Sequence, residues 1–303
     1  MADINPAVVK ALREKTNAGM MDCKRALTEA GGDIERAEAL LRQKGIASAG
    51  KKASRHAKEG AVVSFIQPSG KTGVLVEINC ETDFVAKNDI FTKFIKEFTA
   101  EIAASNADSV PVLLEAAGSD GILFKDTIAA TIAALGENIV IRRFTRFQIA
   151  GDNGGLVASY IHLQGKVGVL AEINCGNEAS AKSEGFRELV KDITLQIAAA
   201  HPAVVSRDQV DAALVASERE IYKAQVQGKP ENIVEKIVDG KMDKFYSTAC
   251  LLEQACIKNP DITVKDLVAS KEKELSDKIS INRFVRYALG EESGEAPVEE
   301  EGH

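Results

Sequence analysis

Gly70-Lys71-Thr72-Gly73-Val74-Leu75-Val76-Glu77-Ile78-Asn79-Cys80 returns 95 residues later as Gly165-Lys166-Val167-Gly168-Val169-Leu170-Ala171-Glu172-Ile173-Asn174-Cys175. Upstream, Val62, Ser64, Phe65 and Ile66 meet Val157, Ser159, Tyr160 and Ile161 at the same offset. A β-rich apolar run, a turn carrying Gly and a second apolar run read as a hairpin. The chain therefore holds two copies of one hairpin. Downstream, Phe91, Phe94, Ile95, Phe98 and Ile102 keep the spacing of an amphipathic helix. The offset carries them onto Phe186, Leu189, Val190, Ile193 and Ile197, all apolar, so both hairpins are followed by the same helix.

A third piece closes each copy. Ile139-Val140-Ile141-Arg142-Arg143-Phe144-Thr145-Arg146-Phe147 resembles Ile279-Ser280-Ile281-Asn282-Arg283-Phe284-Val285-Arg286-Tyr287, and both alternate as strands do. The wider separation of this pair marks an insertion in the second copy, roughly Arg207 to Phe245. There Val210, Ala213, Leu214, Ser217 and Ile221 form one narrow apolar seam, and Ile233, Val234, Ile237, Val238 and Phe245 form another. Gly228-Lys229-Pro230 stands between them as a turn. The pattern predicts an antiparallel helical hairpin projecting from the core. Such an arm suits contacts between molecules, self-association among them. From Glu291 onward the chain is acidic with Gly, Ser and Pro, and is expected to be disordered.

The first 46 residues read as three short helices. Asn5 before Pro6 is a helix start, and Val8, Val9 and Leu12 form a stripe that stops at Thr16-Asn17-Ala18-Gly19. A second helix carries Cys23, Ala26 and Leu27 and ends at Gly31-Gly32. Asp33 caps a third, with Ile34, Ala37, Leu40 and Leu41 on one face, which Gly45 is expected to close. A basic stretch, Lys51-Lys52-Ala53-Ser54-Arg55-His56-Ala57-Lys58, reads as a solvated linker to the core. The expected divisions are thus a helical module (1–46), a basic linker (47–59), one core unit (60–150), a second (151–206 with 246–290), the inserted hairpin (207–245) and an acidic tail (291–303). The fold class is α+β, with two antiparallel sheets.

The 303 residues, 45% hydrophobic and 27% charged, suit a chain of more than one domain. No run reaches the ~18 apolar residues of a membrane span, and Met1-Ala2-Asp3-Ile4-Asn5-Pro6 shows no export signal. Five cysteines without a CxxC pair suggest neither a disulfide framework nor a zinc site, so a cytoplasmic protein with reduced thiols is expected. A net charge of −7 argues against a general nucleic-acid binder. Ser69-Gly70-Lys71-Thr72 imitates the end of a phosphate loop, but position 65 is Phe where the loop needs Gly, and the segment joins two strands. The four histidines, His56, His162, His201 and His303, have no metal-ligand spacing, and no nucleophile elbow is present. Glu77 and Glu172 hold equivalent repeat positions, which suits structural ion pairs. No cofactor and no catalytic residue are expected.

Where the first copy's central strand ends, the sequence continues Cys80-Glu81-Thr82-Asp83-Phe84-Val85-Ala86-Lys87-Asn88. The second copy reads Gly176-Asn177-Glu178-Ala179-Ser180 after its own Cys175, so Phe84 becomes Ala179. A fold that needed a large side chain there would carry one twice, which favours a surface role for Phe84 over a core aromatic. Met20-Met21, beside Arg13 and Lys24, reads either as core filler or as an exposed adaptable patch.

These segments resemble the translation elongation factor Ts family. The likeness rests on Leu12-Arg13-Glu14-Lys15-Thr16-Asn17-Ala18-Gly19-Met20-Met21-Asp22-Cys23-Lys24, on Cys80 to Lys87, on Gly136-Glu137-Asn138 with Arg142-Arg143, and on Gly228-Lys229-Pro230, in that order over nearly the whole chain. It implies a ubiquitin-associated-like N-terminal bundle, two related α+β core subdomains and a coiled-coil hairpin. It implies guanine-nucleotide exchange on elongation factor Tu, with Thr82, Asp83, Phe84 and Val85 inserting between helices of that GTPase and displacing its magnesium. It assigns further partner contacts to Arg13, Met20, Met21 and Lys24 in the N-terminal module and to His162 in the second copy. The family's Val-Met contact pair stands here as Ile257-Lys258. Two other readings stand beside this one. A ubiquitin-associated-like adaptor that only tethers partners leaves the one-copy Asp-Phe pair without a purpose. An enzyme using Cys80 or Cys175 as nucleophile has no neighbouring His in sequence.

Overall fold

A computed structural model of the chain describes residues 4–16, 18–151, 154–226 and 230–291. Asn17, the Gly228-Lys229 of the expected hairpin turn and the tail from 292 lie outside the described residues.

Three helices open the chain: α1 (Pro6–Thr16), α2 (Met20–Glu29) and α3 (Ile34–Lys52). The Asn5 side chain accepts the Ala7 N–H at 2.9 Å and Asp33 accepts that of Arg36 at 3.0 Å, so both expected caps form. Gly31 and Gly32 take φ of +67° and +92° to stop α2, a conformation glycine adopts without steric cost. Leu12, Cys23, Ala26, Leu27 and Ala37 bury themselves in a small core of their own.

The first repeat runs β1 (Glu59–Ile66), β2 (Thr72–Cys80), α4 (Asp83–Ala86), α5 (Asp89–Ala104), α6 (Val110–Glu115), α7 (Phe124–Leu135) and β3 (Ile139–Gln148). The second runs β4 (Gly154–His162), β5 (Val167–Cys175), α8 (Glu178–Lys182), α9 (Glu184–Ala200), α10 (Ala212–Ala224), α11 (Glu231–Ala249), α12 (Val264–Leu275) and β6 (Ile279–Ala288). Each repeat makes one antiparallel three-stranded sheet with the hairpin's second strand in the middle, β1-β2-β3 and β4-β5-β6. The registers slip at matching places, between Glu77 and Ile78 and between Glu172 and Ile173. Even the irregularity is repeated.

The layers explain the sequence of the central strands. Val74, Val76, Ile78 and Cys80 face α5 and α7, while Leu75 joins Val62, Phe147, Val157, Leu170 and Tyr287 between the two sheets. Every residue of β2 is buried, so the strand reads as one apolar run. The sheets approach closely where Gly73 and Gly168 sit. A Cβ on Gly73 would lie 2.7 Å from Val157 Cγ1, and one on Gly168 would lie 2.4 Å from Val62 Cγ1. Ser64 and Ser159, 95 residues apart, share a hydrogen bond of 2.9 Å across the junction. Glu77 is fully buried, with its Oε2 accepting from Arg143 Nε at 2.8 Å, and Glu172 binds Arg283 at the same distance. The expected structural ion pairs are therefore present. Each arginine also lies over a ring of the other repeat, Arg143 on Tyr287 at 4.1 Å and Arg283 on Phe147 at 4.3 Å. Each ion pair lies within its own repeat, and the arginine–ring contacts cross-link the two repeats reciprocally.

Two sequence expectations are corrected. Gly45 does not end α3, which continues to Lys52 and takes in the first part of the basic stretch. Gly45 is buried where α3 crosses α7, and a Cβ there would stand 3.4 Å from the Ala129 carbonyl oxygen. The glycine serves close helix approach, and a helix interior tolerates it at modest cost. Lys51 and Lys52 then stand in the last turn, where the helix dipole favours cations. The inserted pair of helices also differs: α11 runs past Phe245 to Ala249. Val238 and Met242 are its buried residues, while Leu214, Ile221 and Ile233 are exposed. Arg219 pairs with Asp239 across the two helices at 2.5 Å.

Candidate partner-binding site

The corner after β2 is built by a thiol hydrogen bond and two helix caps in succession. Cys80, at the strand's end, points its thiol at the Thr82 carbonyl 3.2 Å away. Thr82 is extended, and its hydroxyl accepts the Val85 N–H at 3.3 Å, which starts the single turn α4. Asn88 accepts the Ile90 N–H at 2.8 Å and starts α5. Between these caps, Val85 and Ala86 pack partly into the core cluster of the first repeat. Asp83 and Phe84 are turned outward. Phe84 is 83% exposed, the largest such value among the exposed large hydrophobic side chains. Ala179, its counterpart, is also exposed, so the scaffold presents this position to the surface in both copies and only the first fills it with an aromatic. Asp83 pairs with Lys87 one turn later at 2.8 Å. That hydrogen bond and the lysine's charge hold the Asp83 carboxyl below its ordinary range, keeping it ionised beside the ring.

Behind the corner stands Glu137. Its Oε2 accepts the N–H groups of Glu81 and Thr82 at 3.1 and 3.0 Å, and its Oε1 accepts the Thr82 hydroxyl proton at 2.6 Å. Glu81 in turn accepts the Asn138 N–H at 2.6 Å and lies 3.5 Å from Arg55. Sequence reading quoted Glu137 only within a motif. A carboxylate just before a strand gives no local signal that it reaches back to a turn 55 residues earlier.

The other expected contacts are all at the surface. Arg13 and Lys24 are exposed, and Met20 and Met21 are 45% and 65% exposed at the start of α2, which settles them as surface rather than core filler. His162 is exposed at the end of β4, its Nδ1 3.2 Å from the Tyr160 hydroxyl. Ile257 is exposed, and Lys258 pairs with Asp192 at 2.5 Å.

The fold brings His162 toward the corner. Glu59, opposite Cys80 in the β1–β2 ladder, takes the Lys166 ammonium at 2.9 Å, and a Cβ on Gly165 would lie 2.8 Å from that of Ala61. The turn after His162 therefore sits at the same end of β1 as the Thr82 corner. It carries Leu163, which sequence reading did not single out. Leu163 is 66% exposed with φ of +47°, followed by Gln164 at +55°. Two non-glycine residues in succession in the left-handed region are strained, and an apolar residue in a turn was the available signal.

The surroundings of both cysteines of the repeat work against a nucleophile. Both are buried; burial pushes the Cys80 thiol up to about 12 and raises that of Cys175, where reactivity needs the thiolate.

Comparison with known proteins decides the family. Residues 81–291 match the family model described as Elongation factor TS. The chain belongs to the elongation factor Ts family. Over 291 residues it is 47% identical to the elongation factor Ts of Clostridium acetobutylicum, covering 95% of this chain and 93% of the relative. It is 46% identical over 296 residues to that of Nostoc sp. strain PCC 7120, covering 96% and 94%. With that of Nitratidesulfovibrio vulgaris strain DP4 it shares 44% over 292 residues, covering 96% and 97%. Membership in the elongation factor Ts family makes this a protein of translation elongation, and its mixed helix and strand architecture with two antiparallel sheets agrees with the α+β class. No helix among the described residues is long and apolar enough to cross a membrane.

Proposed function

We propose that this chain is the guanine-nucleotide exchange factor for elongation factor Tu, and that the Thr82–Val85 turn is the element that acts on the GTPase. One observation supports this most: an almost fully exposed phenylalanine on a capped and anchored turn, present in one repeat and replaced by alanine in the other. Burying such a ring in a partner recovers about 1.5–3 kcal/mol, and a water-exposed Phe held in place is ready to do so. Arg13, Met20, Met21 and Lys24 would make a second contact from the N-terminal module, and His162 with its neighbouring turn a third.

The physics of exchange matches such an element. Nucleotide and factor must each weaken the other's binding, since coupling between two sites is reciprocal. Magnesium demands strict octahedral oxygen geometry, so a small shift of the backbone around it releases the metal and then the phosphates. A ring inserted between helices supplies the shift, and the ionised Asp83 beside it can take backbone N–H groups of the displaced segment. The chain itself performs no bond chemistry in this scheme.

The test is release of fluorescent GDP from magnesium-loaded elongation factor Tu, with and without this protein. Acceleration that is suppressed by added magnesium is the expected result. Tight binding to the GTPase with unchanged release would leave only a tethering adaptor.

A further inference from the structure

An exposed side chain cannot orient itself. Phe84 rides on a helical turn of four residues, and helices that short do not persist alone. Its direction must come from the backbone anchors on either side. On the downstream side these are Val85, Ala86 and the Asn88 cap. On the upstream side the Cys80 thiol holds the Thr82 carbonyl, and one carboxylate takes the three donors that lead into the turn.

We propose that Glu137 is a positioning residue for exchange, holding the Thr82–Val85 turn in the orientation that presents Phe84 to the GTPase; this rests on the exchange function argued above. The carboxylate has acceptors only, so the proton shared with Thr82 at 2.6 Å belongs to the hydroxyl and points at Glu137. The lone pairs of Thr82 Oγ1 are thereby left for the Val85 N–H. Glu137 thus sets the direction of the cap, and the cap sets the turn. The same carboxylate takes the two N–H groups leading into the turn, bonds strengthened by its charge. Asn138 extends the clasp backward: its side chain donates to the Arg55 carbonyl oxygen at 2.9 Å, so the chain leaving α3 is tied to the loop that grips the corner.

The second repeat isolates the functional part. Asp277 occupies the place of Glu137 and accepts the Gly176 N–H at 3.0 Å and the Asn177 side-chain amide at 2.9 Å. Gripping the corner is therefore a device of the fold, present twice. Only in the first repeat does the gripped turn carry an exposed aromatic, so only there should loosening it slow the reaction. With the rest of the chain already docked, a loosened turn must be ordered again as the ring inserts, and that entropy is subtracted from the release step rather than from docking.

The experiment compares Glu137→Gln, Glu137→Asp and Asp277→Asn in the full chain. Gln fills the same space, but with its amide oxygen on the two N–H groups its N–H₂ faces the Thr82 hydroxyl, which must turn its proton away and share its lone pairs between that amide and the Val85 N–H, so the cap is weakened. Asp keeps the carboxylate used at position 277. Hydrogen–deuterium exchange should rise over residues 82–87 in Glu137→Gln and stay unchanged over 177–182. The saturating rate of GDP release should fall about tenfold, with the half-saturating concentration changed less than twofold. Glu137→Asp should recover part of the rate, and Asp277→Asn should leave it unchanged. In a Phe84→Ala background, Glu137→Gln should cost nothing further. An equal loss in that background, or an equal loss from Asp277→Asn, overturns the assignment. If the parent protein fails to accelerate release at all, the exchange function falls. The hydrogen-exchange comparison then still decides whether Glu137 holds the turn, unchanged protection over residues 82–87 refuting it.

Discussion

Phe84→Ala separates a side chain that serves the fold from one that serves a partner. With 83% of its surface still in water, Phe84 contributes little to the folded state, and surface substitutions of this kind stay within about 0.5 kcal/mol. The melting temperature should therefore move by no more than a few degrees. In the complex the same ring would bury nearly all of that exposed surface, about 1.5–3 kcal/mol. If this energy is expressed mainly where magnesium leaves, the saturating rate of nucleotide release falls by roughly tenfold to a hundredfold, at about 1.4 kcal/mol per factor of ten. The assay is stopped-flow release of fluorescent GDP from elongation factor Tu at saturating factor, paired with calorimetric melting of the free variant. The reciprocal variant, Ala179→Phe, puts the same ring on the sister corner and should change neither quantity. Two results would refute the reasoning: an unchanged release rate, or a large drop in melting temperature that makes Phe84 a core residue after all.

Three further outcomes follow from the junction of the repeats and its margins. Glu77→Ala takes the 2.8 Å carboxylate partner from the largely buried Arg143 and leaves it only the Glu291 carboxylate at 3.8 Å, which should cost about 3 kcal/mol in urea unfolding, the lower end for a broken buried pair; Glu172→Ala should cost less, because Arg283 is half exposed. Gly168→Ala drives a methyl group to 2.4 Å from Val62 and 2.9 Å from Leu75, and overpacking of that kind should destabilise by about 1–3 kcal/mol without abolishing the fold. A third outcome concerns alkaline pH. The folded-state pKa of Cys80 is raised from 9.0 to about 12 by burial, so the folded chain holds its proton where the unfolded chain releases it. This contribution is complete below pH 9 and is lost as pH climbs from 9 toward 12; Cys80→Ala should flatten that part of the stability profile, and iodoacetamide should fail to label Cys80 in the native protein at neutral pH.

The repeat made the core legible because its two copies test each other. Positions apolar in both copies of the helix, such as Phe91 and Phe186 or Ile102 and Ile197, read as interior, and all four are fully buried. The paired Glu77 and Glu172 were readable as ion pairs for the same reason. Helices α6, α7 and α12 lie outside the matched segments and had no such control. Their starts depend on context the periodicity does not carry, as in α12, where the Thr263 and Asp266 side chains close a reciprocal cap. Gly45 misled because a glycine ending a helix and a glycine admitting a neighbouring helix look alike in sequence. Only the approach of Ala129 distinguishes them.

The candidate site divides along the same line. Phe84 could be found because its counterpart is Ala179, a difference between copies that share the strand and cysteine before it and the helix after it. Glu137 could not, because its counterpart Asp277 does the same work, and a feature shared by both copies registers as scaffold. Its importance comes from what it holds. If Glu137 positions the turn as proposed, a duplicated fold hides one kind of functional residue: the positioning group present in both copies and used for action by one. Under the proposed exchange function the exposed ring on the first corner takes its place from that shared grip, and the two repeats differ in the gripped turn while the clasp is common to both.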